Sequence, residues 1–80
     1  MSELSKKEQL KIGKDFTIRV GKNIRQIRKS KDITQTELSD RIFSDRQYLY
    51  KIEHGKVGLS VSKLMVISLA LEVPIEDLVK

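Results

Sequence analysis

The sequence predicts an all-α domain of five helices. Three observations support this prediction: apolar residues recur at spacings of three and four, alternating β-branched runs are missing, and the chain holds only four glycines and one proline. With 80 residues, 39% of them hydrophobic, the chain can form one small core. No internal repeat or low-complexity segment divides it further.

Residues 1–15 form a polar leader. We expect a basic N-terminal arm or a short helix that begins after Ser5, outside a core domain of residues 16–80. A disordered arm would add only non-specific affinity for an acidic partner, whereas an ordered helix would pack on the domain or extend along a nucleic-acid backbone. The apolar residues available to anchor this leader are Leu4, Leu10 and Ile12.

The first core helix is predicted from residue 16 to about residue 31. Its apolar residues follow each other at spacings of four, four and three, which places them on one helical face. They are Phe16, Val20, Ile24 and Ile27.

Two short helices follow. Thr34 and Glu37 have the spacing of a capping box, so a second helix should run from there to about Ile42. Ser44 or Asp45 caps a third helix, and Gly55 suits its C-terminal end. Helices of about eight and ten residues with about three between them are typical of a helix-turn-helix. The expected core residues of the pair are Leu38, Ile42, Leu49 and Ile52.

A fourth helix should begin after Ser60, and Pro74 fits the first turn of a short fifth helix at residues 75–79. The fourth helix is apolar almost all round. Its predicted core residues are Val61, Leu64, Ile67 (or Ser68) and Leu71.

Positive charge is concentrated at the N-terminal side. Residues 1–33 contain ten Lys or Arg and four Asp or Glu, whereas residues 34–80 contain six and seven. The formal net charge is +5, which favours an acidic partner. From charge alone, a solvated helix face and a phosphate-binding stripe remain open as interpretations.

Several functional classes are disfavoured. The chain has no cysteine and one histidine, His54, so we expect no metal site and no other cofactor. No nucleophile elbow or phosphate-binding glycine loop is present, so we predict that the chain is not an enzyme. The longest apolar run is four residues, at 64–67, and the N-terminus is polar, so we expect a cytoplasmic protein without a membrane partner.

The sequence resembles the helix-turn-helix domain of the Cro and lambda-repressor-like regulators, the xenobiotic-response-element class. The resemblance covers roughly residues 20–79. It rests on Thr34-Gln35-x-Glu37-Leu38-Ser39, Leu49-x-Lys51-Ile52-Glu53-x-Gly55-Lys56 and Ser60…Leu64…Ala70-Leu71-x-Val73…Leu78. The short motif Asp45-Arg46-x-Tyr48 is most similar to the controller proteins of restriction–modification systems, and repressors of phages or mobile elements remain open.

The resemblance implies a compact lambda-repressor-like fold in which the third helix (about 45–54) enters the major groove of double-stranded DNA. An arginine there can hydrogen-bond guanine O6 and N7, and a glutamine can do the same with adenine. Either tyrosine, Tyr48 or Tyr50, can instead pack its ring on a neighbouring helix. The implied base-reading residues are Arg46, Gln47, Lys51 and Tyr50. The implied backbone contacts, which carry no sequence information, are Gln35, Thr34, Tyr48, His54, Lys56, Ser60 and Lys63.

Arg28 and Glu53 match a structural ion pair of the family. Two positions depart from the family pattern: Phe43 stands where glycine is usual, and Ser44 replaces an aliphatic residue. Because phenylalanine disfavours positive φ, we predict that this turn takes another path and that Phe43 fills the space inside.

The resemblance further implies a homodimeric, autoregulatory transcription regulator that binds a near-palindromic operator without a small-molecule effector. The surplus of apolar residues near the C-terminus favours a dimer interface, with a plain core as the alternative. A rival function is an antitoxin or adaptor that binds a protein through the last two helices, and RNA binding is disfavoured because no aromatic platform is evident. The predicted interface residues are Met65, Leu69, Val73, Ile75 and Leu78.

Overall fold

The computed structural model describes residues 3–80, which are helical apart from the connections between helices and contain no β-strand. This confirms the all-α prediction. The five helices are α1 (Lys6–Ser30), α2 (Gln35–Arg41), α3 (Arg46–Glu53), α4 (Val61–Leu71) and α5 (Glu76–Val79).

α1 is one continuous helix of 25 residues. A capping box starts it: the Ser5 hydroxyl accepts the Glu8 N–H at 3.0 Å, and the Glu8 carboxylate accepts the Ser5 N–H at 3.0 Å. The predicted boundary at residue 15 therefore corresponds to no break in the structure. Residues 6–15 are the first turns of α1 rather than an arm or a separate short helix, and residues 1–2 lie outside the described range.

Four of the helices end in the same way. After α1, α2, α3 and α4 the chain places one residue in the left-handed region, and the N–H groups of that residue and of the next one bond back to helix carbonyls. This is the Schellman motif, in which glycine is the usual left-handed residue. Only one of the four positions is a glycine; the left-handed residues are Asp32, Phe43, Gly55 and Glu72.

The turn between α2 and α3 contradicts the prediction made for Phe43. Phe43 has a φ of 53°, and its side chain is 97% exposed. The Ser44 N–H donates to the Ser39 carbonyl at 2.9 Å, and this hydrogen bond requires a left-handed residue at position 43. The turn thus keeps the geometry expected of glycine, and the phenyl ring points into solvent instead of filling the interior.

The core is a single cluster between α1 and the other four helices. Two predictions were wrong here. Val61, predicted in the core, is 81% exposed because it begins α4 on the outer side of the helix. Leu78, predicted at a dimer interface, is fully buried because α5 packs against α1. The Asn23 amide fixes α5 by donating to the Leu78 and Lys80 carbonyls at 3.0 and 2.9 Å. The buried apolar residues are Val20, Ile24, Ile33, Leu38, Ile42, Leu49, Ile52, Leu64, Ile67, Leu71 and Leu78.

α1 and α3 approach each other closely at two glycines. A Cβ at Gly21 would collide with the Ile52 carbonyl oxygen, and one at Gly55 would lie 2.9 Å from the Ile18 Cα. Gly55 also has a φ of 67°. The C-terminal end of α3 therefore sits directly on the middle of α1.

Across residues 3–80, none of the helices combines the length and the apolar character that crossing a membrane requires.

Candidate DNA-binding surface

The exposed side of α3 is polar and begins at a well-formed cap. The Asp45 carboxylate accepts the Tyr48 N–H at 2.7 Å, which fixes the first turn of the helix. Arg46 and Gln47 occupy that turn and are both exposed, and Lys51 is exposed one turn further on. Three predicted base-reading side chains thus lie together on one accessible face.

Tyr50 lies on the same face but packs within its own helix. Its ring stacks on the His54 imidazole with centroids 3.9 Å apart, and His54 Nδ1 lies 2.9 Å from the Tyr50 carbonyl oxygen. Tyr50 is still 44% exposed. With Gln35, Arg46 and Gln47 it lines a shallow open groove between α2 and α3.

A buried ion pair ties α3 to α1. The Arg28 guanidinium donates two hydrogen bonds to the Glu53 carboxylate, at 2.7 and 3.0 Å, and a third to the Ile33 carbonyl at 2.8 Å. Arg28 and Glu53 are 7% and 5% exposed. This geometry confirms the predicted ion pair, and the fork of the guanidinium fixes the end of α3 relative to α1.

The start of α2 joins the same network. The Gln35 amide donates to Glu53 at 3.1 Å, so this half-buried side chain braces α3. The Thr34 hydroxyl accepts the Glu37 N–H at 3.0 Å, and Glu37 accepts the Thr34 N–H at 3.1 Å. The Thr34 N–H, which donates to the Glu37 carboxylate, is the larger cause and the Thr34 hydroxyl the smaller cause of a Glu37 pKa that lies below its ordinary value of 4.5.

The other predicted backbone contacts lie between α3 and the start of α4. Ser60 caps α4 by accepting the Lys63 N–H at 3.1 Å. Lys63 lies with its Nζ 5.8 Å from the centroid of the Tyr48 ring, and both side chains are half-buried. Ser60, Lys63 and Tyr48 are thus partly engaged within the domain, whereas Lys56 is exposed in the loop between the two helices.

α4 presents an apolar face to solvent, on the side away from the core. We call Val61, Met65, Val66 and Leu69 the α4 apolar face. Two of these are predicted interface residues, Met65 and Leu69, which are 45% and 69% exposed. Val73 and Ile75 are half-buried beside the core. Leu78 was wrongly assigned to the interface, since it belongs to the core of the chain itself.

The close contact at Gly21 was not predicted from the sequence. The signal was present, because a glycine inside a helix of regular apolar spacing usually has a packing reason. The exposure of Val61 was not predicted because α4 is apolar almost all round. The spacing of its residues therefore does not show which side of the first turn faces the core. No group of three or more possible metal-ligating side chains occurs in the part of the chain that the structure describes.

The helix α2, the tight turn at Phe43 and the exposed polar helix α3 together define a DNA-binding helix-turn-helix. The sequence pattern of the helix-turn-helix family matches residues 24–78, and the chain belongs to this family. It is a DNA-binding transcription regulator and not an enzyme.

Three known proteins illustrate the similarity. The control protein C.MunI from Mycoplasma sp is 35% identical over 65 residues, which cover 80% of this chain and 88% of that protein. The crystal structure of the restriction-modification controller protein C.AhdI from Aeromonas hydrophila has a TM-score of 0.74 at 24% identity, covering 78% of this chain and 94% of the other, and so shares the fold. The clp gene regulator ClgR from C. glutamicum matches with a TM-score of 0.77 at 25% identity, covering 79% and 82%.

Proposed function

We propose that this chain is an autoregulatory transcription regulator that acts in the cytoplasm as a homodimer. Each protomer places α3 in the major groove of one half of a near-palindromic operator. The two recognition helices then lie about 34 Å apart, one turn of duplex.

The observation that carries this proposal is the polar face of α3. Arg46 and Gln47 stand exposed on a capped first turn, and the far end of the helix is clamped through Glu53. A side chain reads a base edge well only when its helix is held in one position, since a mobile helix loses bidentate hydrogen bonds. Arg46 suits guanine, and Gln47 suits adenine.

The α4 apolar face supports a second copy as the other partner. Four exposed apolar side chains on one helix favour a protein contact over bulk water. A two-fold contact uses the same patch on both copies, so the dimer would present two α3 helices to the DNA. Control by protein concentration then follows, because dimerisation sets the amount of operator-binding species.

The similarity to the control protein C.MunI, together with the fold shared with the restriction-modification controller protein C.AhdI, supports a controller of a restriction–modification system as the particular role. The match covers most of both chains at 35% identity. A repressor of a phage or mobile element would use the same fold and the same α3 face, so the identity of the regulated genes separates these two roles.

Paired substitutions test the assignment of α3 as the reader. Arg46→Ala should weaken binding to the preferred duplex by about 1–3 kcal/mol and relax the preference at one base pair. Lys56→Ala should weaken all duplexes alike and flatten the salt dependence. The measurement is a titration of both variants against the preferred duplex and its single-base variants at several salt concentrations. Equal, sequence-independent losses for both variants would contradict the assignment.

A second candidate function is a protein-interaction module such as an antitoxin or an adaptor. The observation that favours it is the same α4 apolar face, which fits a different protein as well as a second copy. A chain that stays monomeric at micromolar concentration and selects no DNA sequence would support this alternative.

A further inference from the structure

The N-terminal half of α1 lies beside the start of α4, with a cleft between them. The cleft reaches the surface at Phe16, which is 37% exposed. Its volume is about 200 Å³, below the roughly 300–1,000 Å³ of sites for drug-sized molecules. It therefore has room for a side chain rather than for such a molecule. The residues that line it from α1, the loop and α4 include Gly13, Phe16, Leu59 and Leu64.

The α4 apolar face borders this cleft. Lys63 marks the side of α4 that faces the turn before α3, because its Nζ lies 3.4 Å from the Ser44 hydroxyl oxygen. Val61 and Met65 are each two residues from Lys63, which places them about 160° round the helix, on the side away from that turn. Val61 also precedes Leu64 by one turn, so the two residues are neighbours on the helix surface. Because Leu64 lines the cleft, the exposed apolar surface of α4 continues to its edge.

Two exposed apolar residues continue this surface onto α1. Ile12 and Phe16 are four residues apart, so they share one side of the helix, and Ile12 is 54% exposed. We call Ile12 and Phe16 the α1 apolar side. The lysines of this half of the helix lie about 140–180° round from Phe16, so a contact through the α1 apolar side leaves them in water. These lysines are Lys7, Lys11 and Lys14.

The α4 apolar face is too small to form a stable contact alone. A specific interface takes about 20–30 residues and about 800 Å² of surface from each partner, whereas this face has four residues. The cleft and the α1 apolar side adjoin it and are still open to water. A second copy seated on α4 therefore covers them in the same contact, and the apolar area that leaves water increases.

We propose that the cleft and the α1 apolar side belong to the contact between two copies of this chain. This inference rests on the proposed function, because it extends the contact through α4. An apolar side chain of the second copy enters the cleft, and Ile12 and Phe16 pack around it. The family pattern begins at residue 24, so the N-terminal half of α1 is a dimerisation element that precedes the shared domain.

A carboxylate placed on different sides of α1 tests this contact in the full chain. Ile12→Asp should raise the dimer dissociation constant by about tenfold or more, because the charge would lose water at the contact. Leu10→Asp is the matched control, since Leu10 is 66% exposed and lies about 160° round the helix from Ile12. The control should change the constant by less than about twofold. Sedimentation equilibrium measures both.

A second variant separates the contact from folding. A Cβ at Gly13 meets no atom within 4 Å, and glutamine is a better helix former than glycine. Gly13→Gln should therefore raise the urea midpoint of the monomer, measured at protein concentrations below the dissociation constant. Because its side chain occupies the cleft, the same variant should weaken dimerisation by about fivefold. A more stable variant that dimerises as the wild type does would contradict the role of the cleft.

Leu69→Asp on the α4 apolar face separates this inference from the proposed function. If it weakens association while Ile12→Asp and Leu10→Asp have equal effects, the α1 apolar side is not in the contact and the proposed dimer stands. A wild type that stays monomeric on its selected operator would overturn both proposals, and the α4 apolar face would then be assigned to a different protein.

Discussion

α3 and α4 are built alike and differ in what they expose. Each begins with a side-chain cap, Asp45 or Ser60, and each buries apolar residues on one side. The open side of α3 carries Arg46, Gln47 and Lys51, whereas the open side of α4 carries the α4 apolar face.

The difference shows how one small core can serve two partners. Charged and amide groups gain most from a hydrogen-bonding partner such as a base edge or a phosphate, and apolar groups gain most from leaving water. A domain with both surfaces on neighbouring helices fits a protein that binds DNA through one helix and a second copy through the next.

Loss of the Arg28–Glu53 ion pair, which holds the C-terminal end of α3 against α1, should have the largest effect on stability. Arg28→Ala leaves the Glu53 carboxylate buried without its partner, and it should lower the free energy of unfolding by about 3–5 kcal/mol. Urea denaturation followed by circular dichroism measures this loss. Arg28→Met/Glu53→Leu, which removes both charges, should lose clearly less; a double variant as unstable as the single one would contradict the charge argument.

A charge on the α4 apolar face should have the next largest effect. Leu69→Asp should weaken self-association by about 2 kcal/mol or more, because the carboxylate would be buried at the contact. Sedimentation equilibrium gives the dissociation constant. Leu10→Asp is the matched control, since Leu10 is 66% exposed on α1 and Leu69 is 69% exposed on α4. Equal effects of both variants would show that the α4 face is not the contact.

The turn that leads into α3 allows a smaller, local test. At a φ of 53°, Phe43→Gly should be more stable than Phe43→Ala by about 1 kcal/mol, because only glycine adopts this conformation without strain. The alanine variant controls for removal of the ring, which is almost fully exposed. Thermal unfolding of the two variants side by side measures the difference, and an alanine variant as stable as the glycine one would contradict the left-handed turn.

The smallest expected effect concerns the capping box of α2, which positions the Gln35 brace of α3. Hydrogen bonds from Thr34 lower the pKa of Glu37 from 4.5 in the folded chain, so the stabilisation is present above pH 4.5. It is lost as the pH falls through the lowered folded pKa. Glu37→Gln keeps a capping side chain but does not titrate. The melting temperature of the wild type should therefore fall relative to this variant only below about pH 4.5, and a constant difference at all pH values would contradict the prediction.

Much of this molecule could be predicted from local sequence signals. The caps at Thr34, Asp45 and Ser60 occur as expected, because each depends on residue types at short spacing. The Arg28–Glu53 pair spans 25 residues and was expected from the family resemblance, not from local spacing. The exposed position of Arg46, Gln47 and Lys51 on α3 was expected from the family resemblance.

The rest depends on tertiary contacts that spacing does not encode. The conformation of Phe43 is set by two hydrogen bonds of the turn, which outweigh the preference of the residue itself. Leu78 is buried because Asn23, far away in the sequence, fixes α5 against α1. The leader continues α1 because Ser5 and Glu8 cap it and no proline separates it from Phe16, and the helix tolerates the single Gly13, although the few apolar residues of the leader suggested a boundary.

Selection from a random duplex library at physiological salt, followed by the mass of the selected complex in solution, shows whether two copies of this chain bind one operator. We predict an enriched near-palindrome with half-sites about one helical turn apart, bound by two chains. Weak, salt-sensitive binding without enrichment, or a selected site occupied by a single chain, would contradict it.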